Sequence, residues 1–361
     1  MTAGCSWPEI IRALLDGSDL DTEQAAWAMD EILAGQATAA QIAGFAVALR
    51  AKGETSDEVA AMAAAMLQRA ELVSIASPVM DVVGTGGDHS GSVNISTMAA
   101  IAVAACGVPV IKHGNRAASS QTGTADVLSE LGVAIELQPA QVARCATELG
   151  IAFAFAPVHH PAMRFAAGAR RDLGVPTVFN ILGPLTNPAQ ATAALIGCAD
   201  LGRAPVMAGV LAKRGVRALV VRADDGLDEI SATTTTRVWD ATDGSVRQQV
   251  IDPHALGLQP AQASDLVGGD PARNAELLRM TLGLEPVPDH EDPKVRAIRD
   301  AVAINAAAAL VAWESIDHFD TSPIDTRIGE QLPRAQLSLT SGRAAELLER
   351  WIKLSRELEA D

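Results

Sequence analysis

Tyrosine is missing from the chain, and aromatic residues of any kind make up only 3% of its 361 positions. Since 48% of the sequence is nonetheless hydrophobic, the core has to be built from small and aliphatic side chains, alanine foremost, which favours closely packed helices. Cysteine is scarce too. Cys5, Cys106, Cys145 and Cys198 are widely spaced and form no C-x-x-C pair, so each reads as a buried or incidental thiol of a reducing compartment. No segment approaches the roughly 20 uncharged apolar residues of a membrane span. Met1–Trp7 lacks the basic start and apolar stretch of a signal peptide. A cytoplasmic location and no membrane partner are expected. Positive charge is the last shortage. At a formal net charge of −16 the chain has the wrong sign for neutralising phosphates along a nucleic acid, so no nucleic-acid partner is expected.

What is present falls into two textures. Residues 1–74 read as consecutive helices with short joints, started by capping boxes at Thr38–Gln41 and Thr55–Glu58, with Pro8 in an early turn and Gly35 and Gly53 at helix ends. From Val79 short β-rich runs alternate with helical patterns: Met80–Val83, Val108–Ile111, Ile151–Phe155, Thr177–Phe179 and Ala218–Val221. Two further runs flank Thr242-Asp-Gly244, a hairpin signal. The reading is an α/β protein: a small N-terminal all-helical domain (1–74, with a helical segment near 161–185 as a candidate addition) and a larger α/β domain (75–361) with a central, largely parallel sheet.

Chemistry concentrates in three places. Between Gly84 and Thr124 a single carboxylate, Asp88, faces two fixed cations, Lys112 and Arg116, a locally non-acidic stretch inside an acidic chain. Its first half, Gly84-Thr-Gly-Gly-Asp88 through Ser92 to Asn94-Ile-Ser-Thr97, follows a strand and enters a helix. Glycines let a backbone approach a ligand closely, and free N–H groups at a helix start favour phosphate; Ser96 or Thr97 capping that helix is the plainer alternative. It is not a dinucleotide fingerprint, because His89 stands where the third glycine belongs. The second half, Lys112-His-Gly-Asn-Arg116 through Ser119, Ser120 and Thr124 to Asp126, again joins a strand to a helix. A solvated loop explains any one of these residues, but two cations, two serines, two threonines and two glycines in one connection favour an oxyanion site. The third place is Asp224-Asp-Gly-Leu-Asp228-Glu229. Taken alone it reads as an acidic surface turn, although such oxygen ligands also suit Mg²⁺.

These blocks, together with His160-Pro-Ala-Met163, Val178-Phe-Asn-Ile-Leu-Gly-Pro-Leu-Thr-Asn-Pro188 and Gly226-Leu-Asp-Glu-Ile230, resemble in order and spacing the anthranilate phosphoribosyltransferases, over nearly the whole chain. That family shares its fold with the pyrimidine nucleoside phosphorylases, but the Asn115-Arg116 pair and the Gly-Pro-Leu-Thr-Asn-Pro block look like the anthranilate branch. The resemblance implies a homodimer, and two Mg²⁺ ions bound with the donor through Ser96, Asp228 and Glu229. It implies that phosphoribosyl pyrophosphate is bound by Gly84, Gly87, Asp88, Ser92, Asn94, Ile95, Ser96 and Thr97, and by Lys112, His113, Gly114, Asn115, Arg116, Ala117, Ala118, Ser119, Ser120 and Thr124. The family usually has serine at the last of these positions. Asp224 and Asp225 stay surface candidates.

The acceptor, an aromatic amine with a carboxylate, calls for an arginine, whose planar fork grips a carboxylate through two hydrogen bonds. Arg164, Arg170 and Arg171 share one helical run, and the resemblance selects Arg170, with Asn115 and Gly84; His113, His159, His160 and Pro184 are candidates for lining the path, although each histidine alone reads as a hydrogen-bonded structural residue. An aromatic amine is neutral and nucleophilic at pH 7, so no residue is assigned as a catalytic acid or base. Two other readings stand beside this one: a nucleoside phosphorylase, and a non-enzymatic relative that binds nucleic acid.

Overall fold

The computed structural model describes residues 5–117, 121–285 and 292–360; Ala118, Ser119 and Ser120, three of the expected donor residues, lie outside the described residues. The N-terminal module is four helices, α1 (Trp7–Leu15), α2 (Thr22–Leu33), α3 (Ala39–Lys52) and α4 (Ser56–Gln68). Both expected capping boxes form. Thr38 Oγ1 accepts from Gln41 N at 3.3 Å and Thr55 Oγ1 from Glu58 N at 3.2 Å, and the Gln41 and Glu58 side chains return the bond.

The remainder alternates: β1 (Met80–Gly84), α5 (Ile95–Ala105), β2 (Val110–Gly114), α6 (Thr124–Leu131), α7 (Pro139–Leu149), β3 (Ile151–Phe155), α8 (Ala156–His159), α9 (Arg164–Leu173), α10 (Phe179–Leu182), β4 (Ala193–Gly197), α11 (Ala204–Lys213), β5 (Arg217–Ala223), β6 (Thr236–Asp240) and β7 (Arg247–Ile251). Four helices close the chain: α12 (Pro271–Leu282), α13 (Pro293–Glu314), α14 (Ile324–Thr340) and α15 (Arg343–Ala360). The strands form one sheet in the order β3-β2-β1-β4-β5-β6-β7. The first five are parallel, and the hairpin β6–β7 adds to the edge antiparallel. Strands β3, β4 and most of β1, β2 and β5 are buried along their length, the pattern of a parallel sheet covered on both faces.

One core lies on the α13 side. There Ala301, Ala303 and Ala306–Ala309 let the 22-residue helix α13 run close to α5 and α14. The other face packs on the N-terminal module, and its core includes Ala166 and Ala169 of α9, Phe179 and Leu182 of α10 and Met207 of α11.

One strand expectation is corrected. Residues Thr177–Phe179 are not a strand: Thr177 N donates to Asn180 Oδ1 at 3.0 Å and the chain turns into α10. The strand between β3 and β5 is Ala193–Gly197 instead, an Ala-Ala-Leu-Ile-Gly run with a single β-branched residue.

Candidate active site

In sheet order β2 and β3 lie to one side of β1, and β4 and β5 to the other. Strands β1 and β4 therefore flank the point where chain order reverses, where open α/β sheets form a crevice at their carboxyl ends. Gly84 and Gly197, the last residues of these strands, pair there. The segment after β5 folds over them so closely that a Cβ on Gly84 would come 2.5 Å from Asp228 Oδ2, and one on Gly197 would overlap the Asp228 carbonyl. Asp228 Oδ2 accepts from Gly86 N at 2.7 Å, and Glu229 Oε1 accepts from Ser96 N at 3.1 Å. Two adjacent carboxylates thus reach both ends of the first glycine-rich loop. The cap of α5 is also corrected: neither Ser96 nor Thr97 caps it, and a carboxylate from a distant loop occupies one of its free N–H groups instead.

Asp228 and Glu229 are only 9% and 8% exposed, so the segment is not the acidic surface turn it resembles in sequence. Asp224 and Asp225 are the exposed pair. Asp224 pairs with Arg237 at 3.0 Å, and Asp225 accepts from Ser231 Oγ and Thr233 Oγ1, both at 2.9 Å. Burial and then Asp88 push the Asp228 carboxyl upward; burial and then Asp228 do the same to Glu229, with Lys112 opposing. Two adjacent buried carboxylates, one of them bonded to the Ser96 N–H, have the oxygen chemistry that a hard divalent cation takes. No three His, Cys, Asp or Glu side chains among the described residues form a ligand set of their own.

The second loop starts at the carboxyl end of β2. Lys112 is 2% exposed, and its ammonium donates to the Val82 carbonyl of β1 and to Ser96 Oγ, the latter at 3.1 Å. It lies under the first loop rather than out on the second. Arg116 is exposed and pairs with Asp126 at 3.0 Å. The other Asp126 oxygen accepts from Ala117 N and Gly123 N, both at 2.9 Å, closing the loop at its base. A Cβ on Gly123 would overlap the Ala117 backbone, which explains glycine there. Asn115 Oδ1 accepts from Arg116 N at 2.8 Å, and Thr124 Oγ1 meets Thr97 Oγ1 at 3.4 Å. Ile95 is buried in the core, and its N–H donates to the Val93 carbonyl at 2.8 Å. Gly86 and Gly87 take φ of +66° and +81° with free space around them.

On the acceptor side the three arginines separate. Arg171 has an 80% exposed side chain and sits 3.7 Å from Asp172; Arg164 is exposed and stacks on Phe165 at 4.4 Å. Arg170 is half-buried, with its guanidinium 5.8 Å from the centre of the Phe179 ring and desolvated. His113, His159 and His160 are buried and each bonds a carbonyl: Gly183 at 3.0 Å, Glu71 at 2.8 Å and Thr186 at 2.8 Å. Burial, then His160, holds His113 well below the usual imidazole range, and burial takes His160 down to about 4; both are neutral at pH 7.

Two site residues gave no usable sequence signal. Asn274 of α12 donates to Asn94 Oδ1 at 2.9 Å while accepting from Gly269 N at 2.7 Å. Asn305 of α13 brackets the backbone of Ile230, directly after Glu229. Both lie on packed helix faces, and an Asn within an alanine run is the only hint of the second.

The chain matches the models of a glycosyl transferase family over most of its length. The family's α/β domain matches residues 76–345 and its helical bundle domain residues 8–70. An anthranilate phosphoribosyltransferase from Nocardioides is 53% identical over 96% of this chain and 98% of its own length. Among solved structures, the anthranilate phosphoribosyltransferase of Thermus thermophilus superposes with TM-score 0.85 at 40% identity, covering 96% of this chain and 99% of that one. The Saccharomyces cerevisiae enzyme in complex with phosphoribosyl pyrophosphate and Mg gives 0.84 at 27% identity, over 97% and 98%. The chain belongs to the anthranilate phosphoribosyltransferase family.

Proposed function

We propose that both loops and the carboxylate pair serve one donor site for phosphoribosyl pyrophosphate, and that Arg170 with Asn115 and Gly84 receives the carboxylate of anthranilate beside it. The reaction displaces pyrophosphate from C1 of the ribose with the anthranilate amine, giving N-(5-phosphoribosyl)anthranilate, the second step of tryptophan biosynthesis from chorismate. The observation that carries this reading is the convergence of Asp228 on Gly86 and of Glu229 on Ser96 at the sheet's switch point.

Ser96, Asp228 and Glu229 would hold Mg²⁺, here as two ions, which when bound neutralises the pyrophosphate leaving group. Gly84, Gly87, Asp88, Ser92 and Asn94–Thr97 would bind the donor from the first loop, and Lys112–Ala117 with Thr124 from the second; Ala118, Ser119 and Ser120 join this proposal through the family resemblance alone. Lys112 places one ammonium under the first loop, against Ser96 and the Val82 carbonyl. The neutral His113 and His160 keep the acceptor path free of competing charge. No dedicated base is assigned: the amine proton, acidified once the N–C1 bond has formed, passes to water or to the departing pyrophosphate, and alignment of the two substrates supplies the rate.

A homodimer fits the exposed Leu15 of α1 and Val47 of α3, neighbouring helices of the N-terminal module. Domain limits of 1–74 and 75–361 fit the family domains matched over 8–70 and 76–345, and in the 161–185 segment α9 packs on α2 and α3. A cytoplasmic site fits four free cysteines and, among the described residues, no helix long and apolar enough to cross a membrane.

Loss of anthranilate fluorescence on mixing with phosphoribosyl pyrophosphate and Mg²⁺ tests the reaction. Turnover that stops when either is omitted supports it; turnover of thymidine with inorganic phosphate instead would place the chain with the phosphorylases.

A further inference from the structure

Strands β1 and β2 carry the two loops, yet they pair along their backbones only at Met80 and Val110, whereas β1 and β4 pair over five residues. Beyond that point buried side chains bridge the strands. Asp81, 1% exposed, accepts from His113 N at 3.1 Å through Oδ1 and from Asn187 Nδ2 at 2.8 Å through Oδ2. Asn187 Nδ2 also donates to the Ile111 carbonyl at 2.7 Å, and its Oδ1 accepts from Ala189 N at 2.9 Å. The same strand end is tied to the 183–188 segment a second time through His113 Nδ1 and the Gly183 carbonyl.

A buried carboxylate and amide inside a sheet are costly unless every polar atom is matched, and matched they fix one geometry. Backbone pairing would have done the structural task with no buried charge. The polar pair instead sets the offset between the Gly84 turn, the Lys112–His113 strand end and the segment that leads back to α10 and α9, where Arg170 lies.

We infer that Asp81 and Asn187 are positioning residues of the transfer reaction: they touch neither substrate, and they hold the donor loops and the acceptor side in register. This rests on the donor and acceptor sites proposed above. Misplacement by about 1 Å is enough to cost on the order of 100-fold in rate, so the effect belongs in kcat.

The test is steady-state kinetics on Asn187→Ala and the isosteric Asp81→Asn, with circular dichroism and thermal midpoints to establish folding. The expected result is a kcat lowered at least about tenfold, with KM for both substrates within about threefold of wild type. Because the two residues form one link, the double variant should be no worse than the worse single one. Should Asn187→Ala fail to fold, Asp81→Asn decides by the same split. A folded variant with wild-type kcat and only a lower thermal midpoint overturns the inference, as does a loss expressed wholly in either KM. Absence of transfer by the wild-type enzyme in the same assay would overturn the site reading and this inference with it; normal wild-type turnover with unaffected variants overturns this inference alone.

Discussion

The side-chain amide of Asn305 brackets the backbone of Ile230, accepting from its N–H at 2.9 Å and donating to its carbonyl at 2.8 Å. Asn305 is buried in the middle of α13, so a rigid, alanine-packed helix sets the height of the Asp228–Glu229 pair above the sheet. Replacing Asn305 by Ala leaves both backbone groups of Ile230 buried and unpaired, at about 1–3 kcal/mol each. The thermal midpoint should fall. Residues that orient metal ligands typically change metal affinity by about 10–100-fold, so the Mg²⁺ concentration for half-maximal turnover should rise by that order. An Asn305→Ala enzyme with a wild-type Mg²⁺ titration would remove this helix from the site.

Arg170 differs from its neighbours by desolvation rather than by sequence. A charged hydrogen bond contributes about 1.5–3 kcal/mol, so Arg170→Ala should raise the anthranilate KM about tenfold or more and leave donor affinity nearly unchanged. Arg171→Ala should do little, because its side chain is 80% exposed and its partner Asp172 is nearly as open. Equal effects at Arg164, Arg170 and Arg171 would mean that a general basic surface, not one contact, receives the carboxylate.

The carboxylate pair also predicts how stability follows pH. Burial, then Asp88 for Asp228 and Asp228 for Glu229, raises both groups in the folded protein, so the folded state holds their protons more tightly than the unfolded chain, where carboxyls titrate near about 4. Their ionisation therefore weakens the metal-free fold progressively as pH climbs from the unfolded value through the raised folded ones. A bound cation reverses that penalty. The rise in thermal midpoint on adding Mg²⁺ should be larger at pH 8 than at pH 5. A shift independent of pH would show that these carboxylates are not where the metal acts.

The parts legible from sequence were those with local signatures. Thr38 and Thr55 announce helix starts within four residues, and Gly84–Gly87 and Lys112–Arg116 announce strand-to-helix turns through their own composition. What escaped depends on tertiary context. From their own segment Asp228 and Glu229 read as solvated, and only the family resemblance singles them out, because the loop they bond to lies more than 130 residues away. Strand β4, Ala193–Gly197, hides because alanine carries little β signal, while Thr177–Phe179 shows that signal and is turned into a helix by Asn180. Gly197 matters only because the Asp228 carbonyl rests on it. Asn187 sits inside a family block, but nothing in the block reveals that its partner is Asp81.

Calorimetric titration of phosphoribosyl pyrophosphate with and without Mg²⁺, into the wild-type enzyme and into an Asp228→Asn, Glu229→Gln variant, tests the central claim most directly. The substitutions keep shape and burial while removing both charges. If the pair holds the metal against the donor bound by the two loops, Mg²⁺ should tighten donor binding to the wild type by about tenfold or more, a coupling of typical size between linked ligands, and that dependence should vanish in the variant. A folded variant that keeps the wild-type Mg²⁺ dependence would contradict the account.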